Sequence, residues 1–163
     1  MGTTSARSIN PKTDKKYGPD FPVLSFEDFI HFHKCFLEEM GVETLFLMAG
    51  PSMGSMQSLL MAALYSNCVI SVATALNTYD LGKNMSSYSE GVLRITCPVL
   101  MANFITDHEF QPFWAEEVAG ILNARTPNQA KVLSLDSKWG HLGCTKDAAL
   151  FEPPLREFMS GLG

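Results

Sequence analysis

The sequence predicts an α/β protein, a mostly parallel sheet of roughly four strands with helices on both faces. Three observations predict it. Short apolar runs at Leu45–Ala49, Val69–Ala75, Val99–Asn103 and Val132–Leu135 read as strands buried on both faces. Stretches with helical periodicity separate them, and alternation of that kind is the mark of parallel crossover units. The chain of 163 residues, 46% hydrophobic and 18% charged, is long enough for one domain with a real core.

Residues 1–24 read as an irregular arm, because Pro11, Gly18, Pro19 and Pro22 interrupt any regular element, and 25–163 as a single domain. Ser25 is an N-cap with Asp28 at the capping-box position. Apolar residues at Phe26, Phe29, Ile30, Phe36, Leu37 and Met40 then mark a helix that Gly41 ends. His31 and His33 lie two apart on it and face different ways, which argues against a metal pair. The stretch from Ser55 to about Ser66 carries Met56, Leu59, Leu60, Ala63 and Leu64, too apolar for a surface helix. It is expected between the sheet and another layer. Residues 76–94 are polar and turn-rich, Phe113–Asn123 is helical, and Pro153–Met159 forms a closing helix with proline in its first turn.

Composition excludes several function classes. The net charge of −5 argues against nucleic acid or an acidic membrane as partner. No run of about 18 apolar residues exists, so no membrane span is expected. Cys35, Cys68, Cys97 and Cys144 have no CxxC spacing and read as reduced thiols of a cytoplasmic protein, with no metal and no resident cofactor.

One motif carries chemistry. The strand Leu45–Ala49 runs into Gly50-Pro51-Ser52-Met53-Gly54, and a helix follows. Strand, tight turn and helix with a serine at the apex is the layout of a nucleophile elbow. Glycines on both sides let the two backbones approach. The strained serine would project its hydroxyl and leave the Met53 N–H facing an oxyanion. Two further strands end in loops bearing Asp107 and His141. Serine needs a base to take its proton, imidazole is suited to that near neutral pH, and a carboxylate holds the imidazole in the required tautomer. Glu109 and Asp136 stand near enough in sequence to be that carboxylate instead.

These residues sit in segments that resemble the homoserine O-acetyltransferase family of the α/β-hydrolase fold. The segments are Ser8-Ile9-Asn10-Pro11-Lys12-Thr13, with Tyr17 to Pro22; Gly50-Pro51-Ser52-Met53-Gly54-Ser55-Met56-Gln57; Ile95 to Leu100 and on through Asp107 to Pro112; and Asp136-Ser137-Lys138-Trp139-Gly140-His141. The resemblance implies Ser52 as nucleophile, Asp107 as orienting acid, His141 as general base and Met53 N–H in the oxyanion hole. It implies an acyl-serine enzyme with a small-molecule acyl donor, acetyl-CoA among the candidates, and a hydroxyl acceptor or ester. Against that family the chain reads as a short form without the N-terminal half and most of the lid, which 76–94 would replace. One oxyanion donor would go with that half, a deficit of about 10²–10³ in rate. Leu142 stands where family acetyltransferases carry an acidic residue, which favours esterase chemistry. Leu45–Ala49 would become an edge strand, inviting a homodimer. The alternative is a non-catalytic truncated or spliced member that binds partners through that edge.

Overall fold

The computed structural model describes residues 5–67, 72–74 and 88–162. In chain order the elements are β1 (Ile9–Asn10), β2 (Lys15–Lys16), α1 (Phe26–Glu39), β3 (Met48–Gly50), α2 (Met53–Leu64), β4 (Val72–Thr74), α3 (Tyr88–Leu93), β5 (Val99–Phe104), α4 (Pro112–Arg125), β6 (Ala130–Leu135), α5 (Gly143–Lys146) and α6 (Glu152–Ser160). The main sheet has the order β3-β4-β5-β6, all neighbours parallel. It is the four-stranded parallel sheet expected from the sequence.

The stretch expected to be irregular holds a local ribbon. β1 and β2 pair antiparallel, Ile9 opposite Lys16 and Asn10 opposite Lys15. The turn between them is built by Asn10, whose Oδ1 accepts from the Lys12 N–H at 2.9 Å, and by Asp14 at φ 54°. Proline at position 11 sits inside that turn, where it costs no ladder bond.

Helix α1 is framed as its sequence dictates. Ser25 Oγ accepts from the Asp28 N–H, and Asp28 Oδ2 accepts from the Ser25 N–H at 2.7 Å. At the far end Gly41 adopts φ 73°, and the Val42 and Gly41 N–H groups return to the Leu37 and Glu38 carbonyls. That is the double closure a left-handed glycine permits. Ile30 is fully buried against the core, with Phe26 and Leu37 packed beside it. Phe29, Phe32, Phe36 and Met40 form a second stripe at helical spacing and remain 36–65% exposed.

Helix α2 is buried nearly all round, Ser55, Ser58 and Leu59 through Ala63 included. It lies on β3 and β4 with α1 and α3 against its outer side. Strand β5 divides its side chains by alternation. Val99 and Met101 join the core with α2 and α4. Leu100, Ala102 and Phe104 face the other way and line an open pocket of about 210 Å³ together with Phe151 and Leu155, the latter on α6. Helices therefore cover both faces. Arg125 and Gln129 lock the crossover into β5, with Gln129 Nε2 donating to the carbonyls of Ile95 (2.8 Å) and Cys97 (3.1 Å).

The strands differ from expectation at their ends. Among the described residues β3 covers Met48–Gly50, pairing with Val72–Thr74, and Leu45 is a separate bridge residue before it, where the sequence predicts one strand over Leu45–Ala49. β6 starts two residues earlier than expected, at Ala130, because β5 pairs with it over six residues. Within 69–75 only Val72–Thr74 is described, and Cys68 and most of 76–94 lie outside the described residues. Cys35, Cys97 and Cys144 are free thiols. Burial pushes Cys97 up to about 11, so it stays neutral at ordinary pH. Among the described residues no helix is long and apolar enough to cross a membrane.

Candidate active site

Parallel strands deliver their loops to one end of a sheet, and there the loops after β3, β5 and β6 converge. Ser52 sits at the start of α2 with φ 52° and ψ −126°, a strained backbone for a residue with a side chain. A serine there ordinarily caps the helix with its own Oγ. This one makes no cap hydrogen bond. Its Oγ lies instead 3.0 Å from His141 Nε2.

The imidazole completes a relay. His141 Nδ1 is 3.0 Å from Asp107 Oδ2. A carboxylate can only accept, so Nδ1 carries the proton and Nε2 is left to accept from the serine hydroxyl. Asp107 is 6% exposed, and its other oxygen accepts the N–H groups of Glu109 (2.8 Å) and Phe110 (3.0 Å). The carboxylate is thus fixed by its own loop. The Phe110 ring stacks on His141 with centroids 4.7 Å apart. Of the two other candidate carboxylates, Asp136 is exposed, and Glu109 lies 3.8 Å from Nε2 with a side chain 73% exposed. Of these three carboxylates only Asp107 contacts Nδ1.

The loops also hold each other. Thr106 Oγ1 donates to the Ser137 carbonyl, and Ser137 Oγ donates to Asp147 Oδ2 at 2.6 Å. Gly140 takes φ 53°, and a Cβ there would stand 3.0 Å from the Thr106 carbonyl oxygen. The histidine loop can therefore press against the acid loop only with glycine at 140.

The two glycines of the elbow differ. A Cβ on Gly50 would lie 2.7 Å from the Gly54 carbonyl carbon, so strand and helix could not approach. A Cβ on Gly54 would meet only Pro51 Cδ, at 3.7 Å. The sequence argument that both flanks of the serine exclude a side chain holds for Gly50 and fails for Gly54. Met53 opens α2, where the first N–H groups of a helix have no intrahelical acceptor. Its N–H stands beside Ser52, and the positive end of the helix dipole adds to it.

One lining residue escaped the sequence reading. Asn103, on β5 and 1% exposed, lines a small cavity with Ser52, Asp107, Phe110 and His141. No motif marks a lone asparagine in an apolar strand.

No family model matches this chain. Over 92% of its length it is 30% identical to homoserine O-acetyltransferase of Methanobrevibacter ruminantium, of which it covers 28%. Over 56% of its length it is 38% identical to that of Bradyrhizobium diazoefficiens, of which it covers 23%. The chain thus spans about a quarter of the length of these curated relatives. Among solved structures, homoserine O-acetyltransferase from Bacillus anthracis superposes with a TM-score of 0.89 at 18% identity, covering 96% of this chain and 71% of that one. Esterase E22 gives 0.82 at 19%, covering 96% and 72%. At such identities the likeness shows the fold.

Proposed function

We propose, for a chain homologous to the homoserine O-acetyltransferases and built on their α/β-hydrolase fold, that it works as a serine acyltransferase or esterase through an acyl-serine. The observation that carries this reading is the relay from Ser52 Oγ through His141 to Asp107, 3.0 Å at each step. His141 Nε2 takes the hydroxyl proton as Oγ attacks the carbonyl of an ester or thioester. The Met53 N–H faces the oxygen that gains charge. The carbonyl–heteroatom bond then breaks, and the alcohol or coenzyme A thiol leaves with the proton from His141. A second hydroxyl, from water or an alcohol, gives its proton to the same nitrogen and takes the acyl group. Asp107 stabilises the imidazolium in both halves.

Acetyl-CoA is a reasonable donor because the curated relatives are named for acetyl transfer. Leu142, beside the base and 54% exposed, offers no charge to an amino-acid acceptor. That supports hydrolysis as the default fate of the acyl-serine. The test supplies p-nitrophenyl acetate or acetyl-CoA, each with and without homoserine. The expected result is p-nitrophenol release independent of homoserine. O-acetylhomoserine formed faster than acetate would overturn the esterase assignment.

A second reading rests on a separate observation. β3 ends the main sheet among the described strands, and Phe46, two residues before it, is exposed. We infer that the Leu45–Ala49 edge pairs with a second copy, since an unpaired apolar strand is a template for another. Sedimentation across a wide concentration range should give a dimer. A single monomeric species at the highest concentration would reject it. A dimer with no ester turnover would favour a binding role over catalysis.

A further inference from the structure

We propose that a single water molecule occupies the cavity beneath the Asp107–His141 pair, and that Asn103 acts through it as a positioning residue for the site. The inference rests on the relay reading above, and its physical basis is separate from it. Asn103 is 1% exposed on a strand whose same-face neighbours, Val99 and Met101, are apolar core. Its Nδ2 donates to the Phe110 carbonyl at 3.3 Å. A carbonyl can only accept, so the amide orientation is fixed and Oδ1 must find a donor elsewhere. Among the described residues Asn103 Oδ1 is the buried side-chain polar atom that no protein group reaches. Leaving it so is costly, and native proteins answer such atoms with ordered water.

The cavity has room for one. Its volume is about 10 Å³, close to one water-sized sphere. Asn103, Ser52, Asp107 and His141 all line it. A water donating one proton to Asn103 Oδ1 has a second for the Asp107 carboxylate, which keeps lone pairs beyond its three protein bonds. The same asparagine holds the Phe110 carbonyl, and the Phe110 ring lies on the imidazole. Asn103 thereby fixes the base from two sides without touching a reacting atom.

The test compares the whole chain with the Asn103→Leu variant, similar in volume and without polar atoms. Nuclear Overhauser contacts between water and the Asn103 side-chain amide are measured first, on the unaltered protein. A long-lived water is expected; a dry cavity overturns the proposal whether or not the variant folds. Next comes the rate at which a fluorophosphonate labels Ser52, with the Nδ1–H proton resonance of His141 recorded alongside. The variant should label about tenfold more slowly, the scale of one lost hydrogen bond, and its resonance should move. Were Oδ1 merely an unsatisfied atom, leucine would leave labelling and resonance unchanged and raise the unfolding midpoint. Absence of labelling in the unaltered protein with the water present would reject the acyl-serine reading and leave the water site standing.

Discussion

His141→Ala should lower the rate at which a fluorophosphonate modifies Ser52 by about 10⁴-fold, with circular dichroism unchanged. The size follows from the chemistry. A serine hydroxyl at neutral pH is almost entirely protonated and attacks slowly until a base accepts its proton. Among the described residues the imidazole of His141 is the group within hydrogen-bond reach of Ser52 Oγ. Glu109 is exposed and 3.8 Å from the vacated nitrogen, too far and too solvated to take over. The fold should not suffer, because His141 is partly exposed and its side-chain partners are Ser52, Asp107 and the Phe110 ring. Asp107→Asn should act more mildly on structure than Asp107→Ala. The amide keeps an acceptor for the Glu109 and Phe110 N–H groups while losing the charge that steadies the imidazolium.

Gly50→Ala should destabilise the protein by about 3 kcal/mol or more and abolish labelling, whereas Gly54→Ala should do neither. The added Cβ at 50 would meet three backbone atoms of Gly54 at 2.7–2.9 Å. A side chain can rotate away from such a clash, but here the obstacle is the first turn of α2, buried along most of its length. Relief requires the helix to lift from the strand, and the helix start is what sets the direction of Ser52 and the Met53 N–H. At 54 the new methyl finds Pro51 at ordinary contact distance. Alanine there also suits a helix better than glycine, by about 1 kcal/mol. Urea unfolding of the two variants, read beside their labelling rates, checks both statements. Equal losses at 50 and 54 would show that the elbow is limited by something other than close approach.

The contrast between these glycines marks how far the sequence could be read. A glycine on either side of a serine is visible in the chain; which one the turn needs depends on where a Cβ would point. The capping box at Ser25 and Asp28 and the stop at Gly41 were legible because each closes within a few residues. The placement of Ser52, Asp107 and His141 after three of the parallel strands was legible because parallel topology sends all three loops to one end. Strand limits were not. Leu45 to Leu47 are as apolar as any strand, yet the continuous strand begins at Met48, with Leu45 as a separate bridge residue, because pairing is decided by a neighbour far away in sequence. The ribbon at Ile9–Lys16 was hidden because its turn depends on Asn10 and Asp14, and the prolines nearby point the other way. Asn103 was hidden because its importance arises from burial and a missing partner, and neither has a sequence pattern.

The central claim is that Ser52 is a nucleophile activated by His141 and Asp107. The most direct measurement treats the folded chain with a fluorophosphonate and locates the adduct by mass spectrometry of its peptides. A single adduct on the peptide holding Ser52, absent from the Ser52→Ala variant, is the predicted result. An unmodified Ser52 in protein whose circular dichroism shows it folded would contradict the claim.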